Sequence, residues 1–183
     1  MKTVTVFVGC DFYGTGPRKT LYKFLRSFSD KHVQVLPIFS CSKNTEIVAA
    51  FGRRHADIDA MTGSDGMMGR IYALIKNSDF VIFDLTGYRP GRKYCLNVIY
   101  ELGIAFPFAK ELRPGMKKKL TWRFFARRDL KYFKDISDLA GEHPLFFGYK
   151  NMTDMKAKIE DNLIPLLFEK RGGKMTRKRP VKR

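Results

Sequence analysis

Short apolar runs with strand spacing alternate along this chain with longer segments of helical spacing. The densest run, Phe80-Val81-Ile82-Phe83, has no polar interruption. That suits a parallel strand covered on both faces, and it predicts a strand over Asp79 to Asp84. Thr3 to Gly9 (TVTVFVG), His32 to Phe39 (HVQVLPIF), Leu120 to Ala126 (LTWRFFA) and Pro144 to Tyr149 (PLFFGY) predict four more. Pro37 marks the second of these as an edge strand or a strand near its end. Helical spacing covers Lys19 to Phe28, with Leu21, Phe24, Leu25 and Phe28 on one face. It recurs over Thr45 to Arg54, with Ile47, Val48 and Phe51 inward, and over Asp65 to Lys76, with Met68, Ile71, Leu74 and Ile75 inward. The methionines there read as core rather than as ligand contacts. Val98 to Ala109 follows the central strand as a helix with Asn97 as its expected N-cap. Asp135 to Gly141 reads as a short helix or loop. Met152 to Phe168 predicts the last helix, kinked or ended by Pro165.

This alternation implies an α/β fold: one doubly wound, mainly parallel five-stranded sheet with helices on both faces, of the flavodoxin or Rossmann kind. The 183 residues suit a single domain with a real core. Residues 1–169 are expected to fold as that domain and 170–183 to form a basic, flexible tail.

Charge changes the picture. The chain carries +17. Eight of those charges are Lys170, Arg171, Lys174, Arg177, Lys178, Arg179, Lys182 and Arg183, uninterrupted by any acid, which leaves +9 for the rest of the chain. An anionic partner follows: nucleotide, nucleic acid or an acidic surface. Within the tail, Lys174, Arg177, Lys178, Arg179, Lys182 and Arg183 are the expected anion or nucleic-acid contacts, although a charge run of this kind also serves as a protein contact or a solubilising tail. Cys10, Cys41 and Cys95 form neither a disulfide framework nor a CxxC pair, which points to a reducing cytoplasm. The three histidines have no metal-ligand spacing, so no metal is expected. Met1 leads straight into a strand, with no signal-peptide pattern. No apolar run reaches the about 20 residues of a membrane span.

The candidate chemistry gathers around the central strand. Asp84 ends it, and in open α/β sheets ligands bind beyond the carboxyl ends of strands. Glu101 is expected in the first turn of the next helix, where the helix N-terminus favours an ionised acid. An ionised glutamate beside a ligand crevice is a nucleophile in waiting. By its residue type alone, Glu101 reads more readily as a surface charge complementing the helix dipole. The glycine-rich loop Cys10-Asp11-Phe12-Tyr13-Gly14-Thr15-Gly16-Pro17 ends the first strand, but its glycines match neither GxGxxG nor the P-loop. Trp122 with Arg123, Arg127 and Arg128, and Arg53-Arg54-His55, read as base or phosphate contacts or, more ordinarily, as a core tryptophan and solvated charges.

Ser78-Asp79-Phe80-Val81-Ile82-Phe83-Asp84-Leu85-Thr86-Gly87 followed by Asn97-Val98-Ile99-Tyr100-Glu101-Leu102-Gly103-Ile104-Ala105 resembles the nucleoside 2-deoxyribosyltransferase-like proteins. The nearest pattern is the TIR-like branch with DLT and N-V-x-Y-E-L-G, which turns up in bacterial antiviral systems. Val6 to Gly9 with Phe12, and Ile136 to Leu139 with Phe146 to Tyr149, extend the likeness over most of residues 3 to 168. The resemblance implies an N-glycosidic reaction on NAD or a (deoxy)nucleoside phosphate. Glu101 would attack the anomeric carbon through an oxocarbenium-like transition state. Asp84 would serve as acid or sugar-binding group. Cys10, Asp11, Phe12, Tyr13, Thr86, Gly87, Asn97 and Gly103 would line the substrate, with Gly103 admitting a close approach. It implies no cofactor, NAD being a substrate, and a homo-oligomer. Two polar groups of the familiar transferases are replaced here, by Ile71 and Cys95. Asp79 is expected to cap or pair structurally. The competing reading is a non-catalytic nucleotide-sensing or nucleic-acid-binding module, or a ribonucleoprotein subunit.

Overall fold

The computed structural model describes residues 2–13, 17–30, 32–52, 58, 63–92, 94–109, 121–127 and 146–165. The basic tail, residues 135–141, Arg53-Arg54-His55 and Arg128 lie outside these, as do the side chains of Trp122, Arg123 and Arg127.

Five strands, β1 (Lys2–Gly9), β2 (Val33–Ile38), β3 (Phe80–Asp84), β4 (Thr121–Arg127) and β5 (Phe146–Tyr149), form one sheet in the order β2-β1-β3-β4-β5. Each neighbouring pair is parallel. The helices are α1 (Pro17–Arg26), α2 (Asn44–Phe51), α3 (Gly63–Asn77), α4 (Leu96–Ala109) and α5 (Met152–Asn162). This order is that of the flavodoxin-like doubly wound sheets, in which the order of strand addition reverses between β1 and β3.

Strand side chains alternate between two cores. Val4, Val6, Val8, Phe80 and Ile82 face Leu21 and Leu25 of α1 and Met155 and Ile159 of α5. Phe7, Val81 and Phe83 face Ile47 of α2, Ile71, Leu74 and Ile75 of α3, and Val98 and Leu102 of α4. All five β3 residues are buried, which is why its sequence shows no alternation. Asp79 pins β3 to β1: its carboxylate accepts the Thr5 backbone N–H and hydroxyl, both at 3.0 Å. β2 lies at the sheet edge and pairs Pro37 with Val6, so the missing N–H costs no second ladder.

Some boundaries differ from the sequence reading. Met68 and Met67 of α3 are 40% and 47% exposed, not core, because Ile71, Leu74 and Ile75 already fill the face toward the sheet. α4 begins at Leu96, and Asn97 is not its cap: the Cys95 carbonyl accepts the Val98 and Ile99 N–H groups at 3.1 and 3.2 Å. α5 is capped by Asn151, whose side-chain oxygen accepts the Asp154 N–H at 3.0 Å. It stops at Asn162, where the C-cap Leu163 donates its N–H to the Ile159 carbonyl at 2.8 Å, two residues ahead of Pro165.

Candidate active site

The carboxyl ends of β1 and β3 lie side by side, with Gly9 in register with Phe83. The loops beyond them carry most of the residues singled out in the sequence. The β3–α4 loop is closed at its neck by an antiparallel bridge between Thr86 and Tyr94 and by the Cys95 N–H donating to the Leu85 carbonyl at 3.0 Å. Gly87 is obligatory there: a β-carbon would meet the Tyr94 carbonyl oxygen at 2.7 Å. Asp11 ties this loop to the β1–α1 loop. Its carboxylate accepts the Tyr13 N–H at 3.0 Å and the Tyr88 N–H at 2.9 Å. The Arg89 guanidinium lies over the Tyr13 ring, 5.5 Å from its centre. Between the loops is a crevice of about 70 Å³ lined by Asp11, Arg89, Arg92, Tyr94, Cys95, Leu96 and Asn97.

Glu101 stands in the second turn of α4, not the first, and only 4% of it is exposed. Its Oε2 has no hydrogen-bond partner among the described residues. That oxygen lies against Gly9, where a β-carbon would come within 2.6 Å of it. Burial pushes the carboxyl up to about 8, while a hydrogen bond from the Ser40 hydroxyl pulls the other way. The expectation of an acid kept ionised by the helix dipole is therefore corrected. One turn in, desolvation outweighs a dipole that falls off within the first turn.

Asp84 is wholly buried. It accepts the Tyr88 hydroxyl at 2.9 Å, the Tyr149 hydroxyl at 3.0 Å and the Thr86 N–H at 3.2 Å. The Tyr149 hydroxyl also lies 2.9 Å from the Thr86 hydroxyl and 2.7 Å from that of Tyr88. Burial raises Asp84 to about 6 against the pull of these donors. The fold's own groups thus occupy the Asp84 carboxyl, and Thr86 is buried in the same network.

Cys10 is buried; desolvation, then the charges of Asp84 and Glu101, hold its thiol far above the usual range. Phe12 and Tyr13 are exposed. Arg18 stacks over Phe12 and Phe39, 5.4 and 5.3 Å from the ring centres, beside a hollow of about 280 Å³ that it lines with Lys19, Tyr22 and Glu46. Asn97 is exposed at the crevice mouth. Gly103 is also exposed, and nothing lies within 4 Å of where its β-carbon would be, so the expected close approach there is absent among the described residues. Ile71, at the place of a familiar acid, belongs to the core facing α4.

The sequence reading did not single out Ser40, Arg70 or Tyr88, and took Tyr149 only as a strand end. Arg70 of α3 is 8% exposed. It donates to the backbone carbonyls of Ser40 at 3.0 Å, Ile58 at 3.5 Å and Ser42.

No protein-family model matches the chain. No curated protein matches it either. Among solved structures it is similar to a 2-desoxiribosyltransferase from Leishmania mexicana, with a TM-score of 0.42 and 14% identity over 67% of this chain. The chain spans 64% of the length of that enzyme. It is also similar to BcmB, the Clostridium botulinum CMP N-glycosidase, with a TM-score of 0.47 and 16% identity over 87% of this chain and 99% of that one. Among the described residues, no helix is long and apolar enough to cross a membrane.

Proposed function

We propose that the protein cleaves or transfers at the N-glycosidic bond of a nucleotide, with Glu101 as nucleophile. The observation that carries this reading is the Glu101 carboxyl itself. It is buried at the carboxyl end of the sheet with one oxygen unpartnered among the described residues. Leaving a buried polar atom unpaired costs stability, and such cost concentrates where a ligand supplies the missing partner.

In the free site, burial favours the protonated form of the carboxyl. Positive charge at or beside the anomeric carbon, as in NAD or in a sugar losing its base, stabilises the ionised form in this water-poor setting. Glu101 first gives up its proton to solvent; the carboxylate then bonds to the anomeric carbon as the C–N bond breaks, and the base departs with the bonding pair. Water or a second base takes the sugar from Glu101. Arg89 and Arg92 at the crevice suit a phosphorylated substrate. Asp84 supports the site by holding Tyr88 and Tyr149. Association of copies and nucleic-acid binding by the basic tail belong to the same proposal.

A second reading draws on the same carboxyl. Held neutral, Glu101 donates a hydrogen bond, and the crevice binds a nucleotide without reacting. Glu101→Gln separates the two, since an amide mimics the neutral acid but not the nucleophile. The test is release of free base from NAD, deoxynucleosides and their monophosphates, followed by chromatography. Release by the parent and none by a folded Glu101→Gln supports the enzyme. Nucleotide binding by both proteins without release supports the binding module.

A further inference from the structure

The hollow beside Arg18 shares no lining residue with the crevice. Arg18 and Lys19 come from the first turn of α1, Tyr22 from the next turn, and Glu46 from the first turn of α2. These helices follow β1 and β2, so the hollow belongs to the loop end of the sheet, where open α/β folds take ligands. Its volume of about 280 Å³ is close to the size at which small-molecule pockets begin.

Rings hold the Arg18 guanidinium in place. It lies over Phe12 and Phe39, whose own centres are 6.3 Å apart and edge to face, and Tyr22 stands 6.4 Å from Phe39. Stacking fixes the plane of a guanidinium and leaves its N–H fork for an anion. Among the described residues, no hydrogen bond or ion pair takes that fork. Lys19 adds a second cation. Glu46 argues against a bare anion. One of its oxygens accepts the Lys43 N–H at 2.8 Å, and the carboxylate still has capacity for a ribose hydroxyl or a base amino group. The exposed Phe12 ring and Tyr22 offer aromatic surface to a base.

We propose that this hollow is a second ligand site, which binds a nucleoside monophosphate with the phosphate on Arg18 and Lys19 and the nucleoside toward Tyr22 and Glu46. The unit is either a free mononucleotide or the far half of a dinucleotide. One loop serves both places: Asp11 lines the crevice, and the next residue, Phe12, backs Arg18. The proposal does not depend on Glu101 being a nucleophile.

The test is a titration of the full-length protein with AMP at about 0.15 M salt, where exposed charges are screened beyond about 8 Å. It is followed at the Arg18 side-chain Nε–H by nitrogen NMR, with Arg18→Lys to assign the resonance, and by calorimetry. AMP should shift that resonance saturably. Arg18→Ala should weaken AMP about tenfold, and Lys19→Ala, at another exposed position, should weaken it in the same direction. No saturable shift at Arg18 overturns the proposal. So does an unchanged affinity in folded Arg18→Ala, or inorganic phosphate bound as tightly as AMP. NAD separates the two sources. Binding tighter than that of AMP, and weakened by Arg92→Ala as well as by Arg18→Ala, marks half of a dinucleotide. Binding equal to or weaker than that of AMP marks a free mononucleotide. Base release is scored separately: its absence from every nucleotide removes the nucleophile reading and leaves this site to the titration.

Discussion

Glu101 and Gly9 fit one another with no room for a methyl group: a β-carbon on Gly9 would sit 2.6 Å from Glu101 Oε2 and 2.7 Å from the Phe83 ring. Gly9→Ala therefore has to displace either the carboxyl or an aromatic side chain of the core. Overpacking of this kind costs about 1–3 kcal/mol. The expected outcome is a lowered denaturant midpoint together with a loss of base release beyond that caused by instability.

Gly103→Ala is the opposite case. It lies within α4 on an exposed face with open space around it. Replacing a helical glycine by alanine there should stabilise by about 0.5–1 kcal/mol. Thermal unfolding of the two variants side by side checks both, and a destabilised Gly103→Ala would mean that something covers this face.

The stability of the protein should fall as the pH rises. The folded-state value of Glu101 is raised, so the unfolded chain loses its proton first, from about 4.5, while the folded protein keeps it up to about 8. Stability is fully present below the lower value and is lost through that window, on the order of a few kcal/mol in all. Asp84 adds a loss of the same sign between about 3.8 and about 6. Glu101→Gln should flatten the upper part of the curve, so that the variant gains on the parent between pH 5 and pH 8 in urea unfolding.

Tyr149→Phe removes one hydroxyl that touches Asp84, Thr86 and Tyr88 at once. It leaves a fully buried carboxyl short of a donor, at a cost of about 1–3 kcal/mol. The Asp84 midpoint should rise as well, since a bond to its ionised form is lost. A Tyr149→Phe protein as stable as the parent would show that water replaces the hydroxyl.

Local chemistry made much of this legible in the sequence. The unbroken FVIF run suits a strand covered on both faces, and Glu101 is a candidate because a carboxylate near the end of such a strand has somewhere to act, although by residue type alone it reads more readily as a surface charge. The ionisation state of Glu101 was not legible, because it depends on burial by β1 and β3 residues about ninety and twenty positions away. Ser40, Tyr88 and Tyr149 fall under the same limit: a serine or tyrosine declares its partner only after the sheet has brought the loops together. Met67 and Met68 misled for a simpler reason. Three aliphatic residues of α3 had already filled the inward face, and hydrophobicity does not say which candidate is surplus.

The carboxylate of Asp11 holds a backbone N–H from each of the two loops that border the crevice. Those loops are consequently one jaw and not two. Whatever pulls on Tyr13 in the loop after β1 also drags Tyr88, and through its hydroxyl reaches the buried Asp84 at the end of β3. A ligand seated at the mouth would thus be felt at the floor of the site without any helix having to shift.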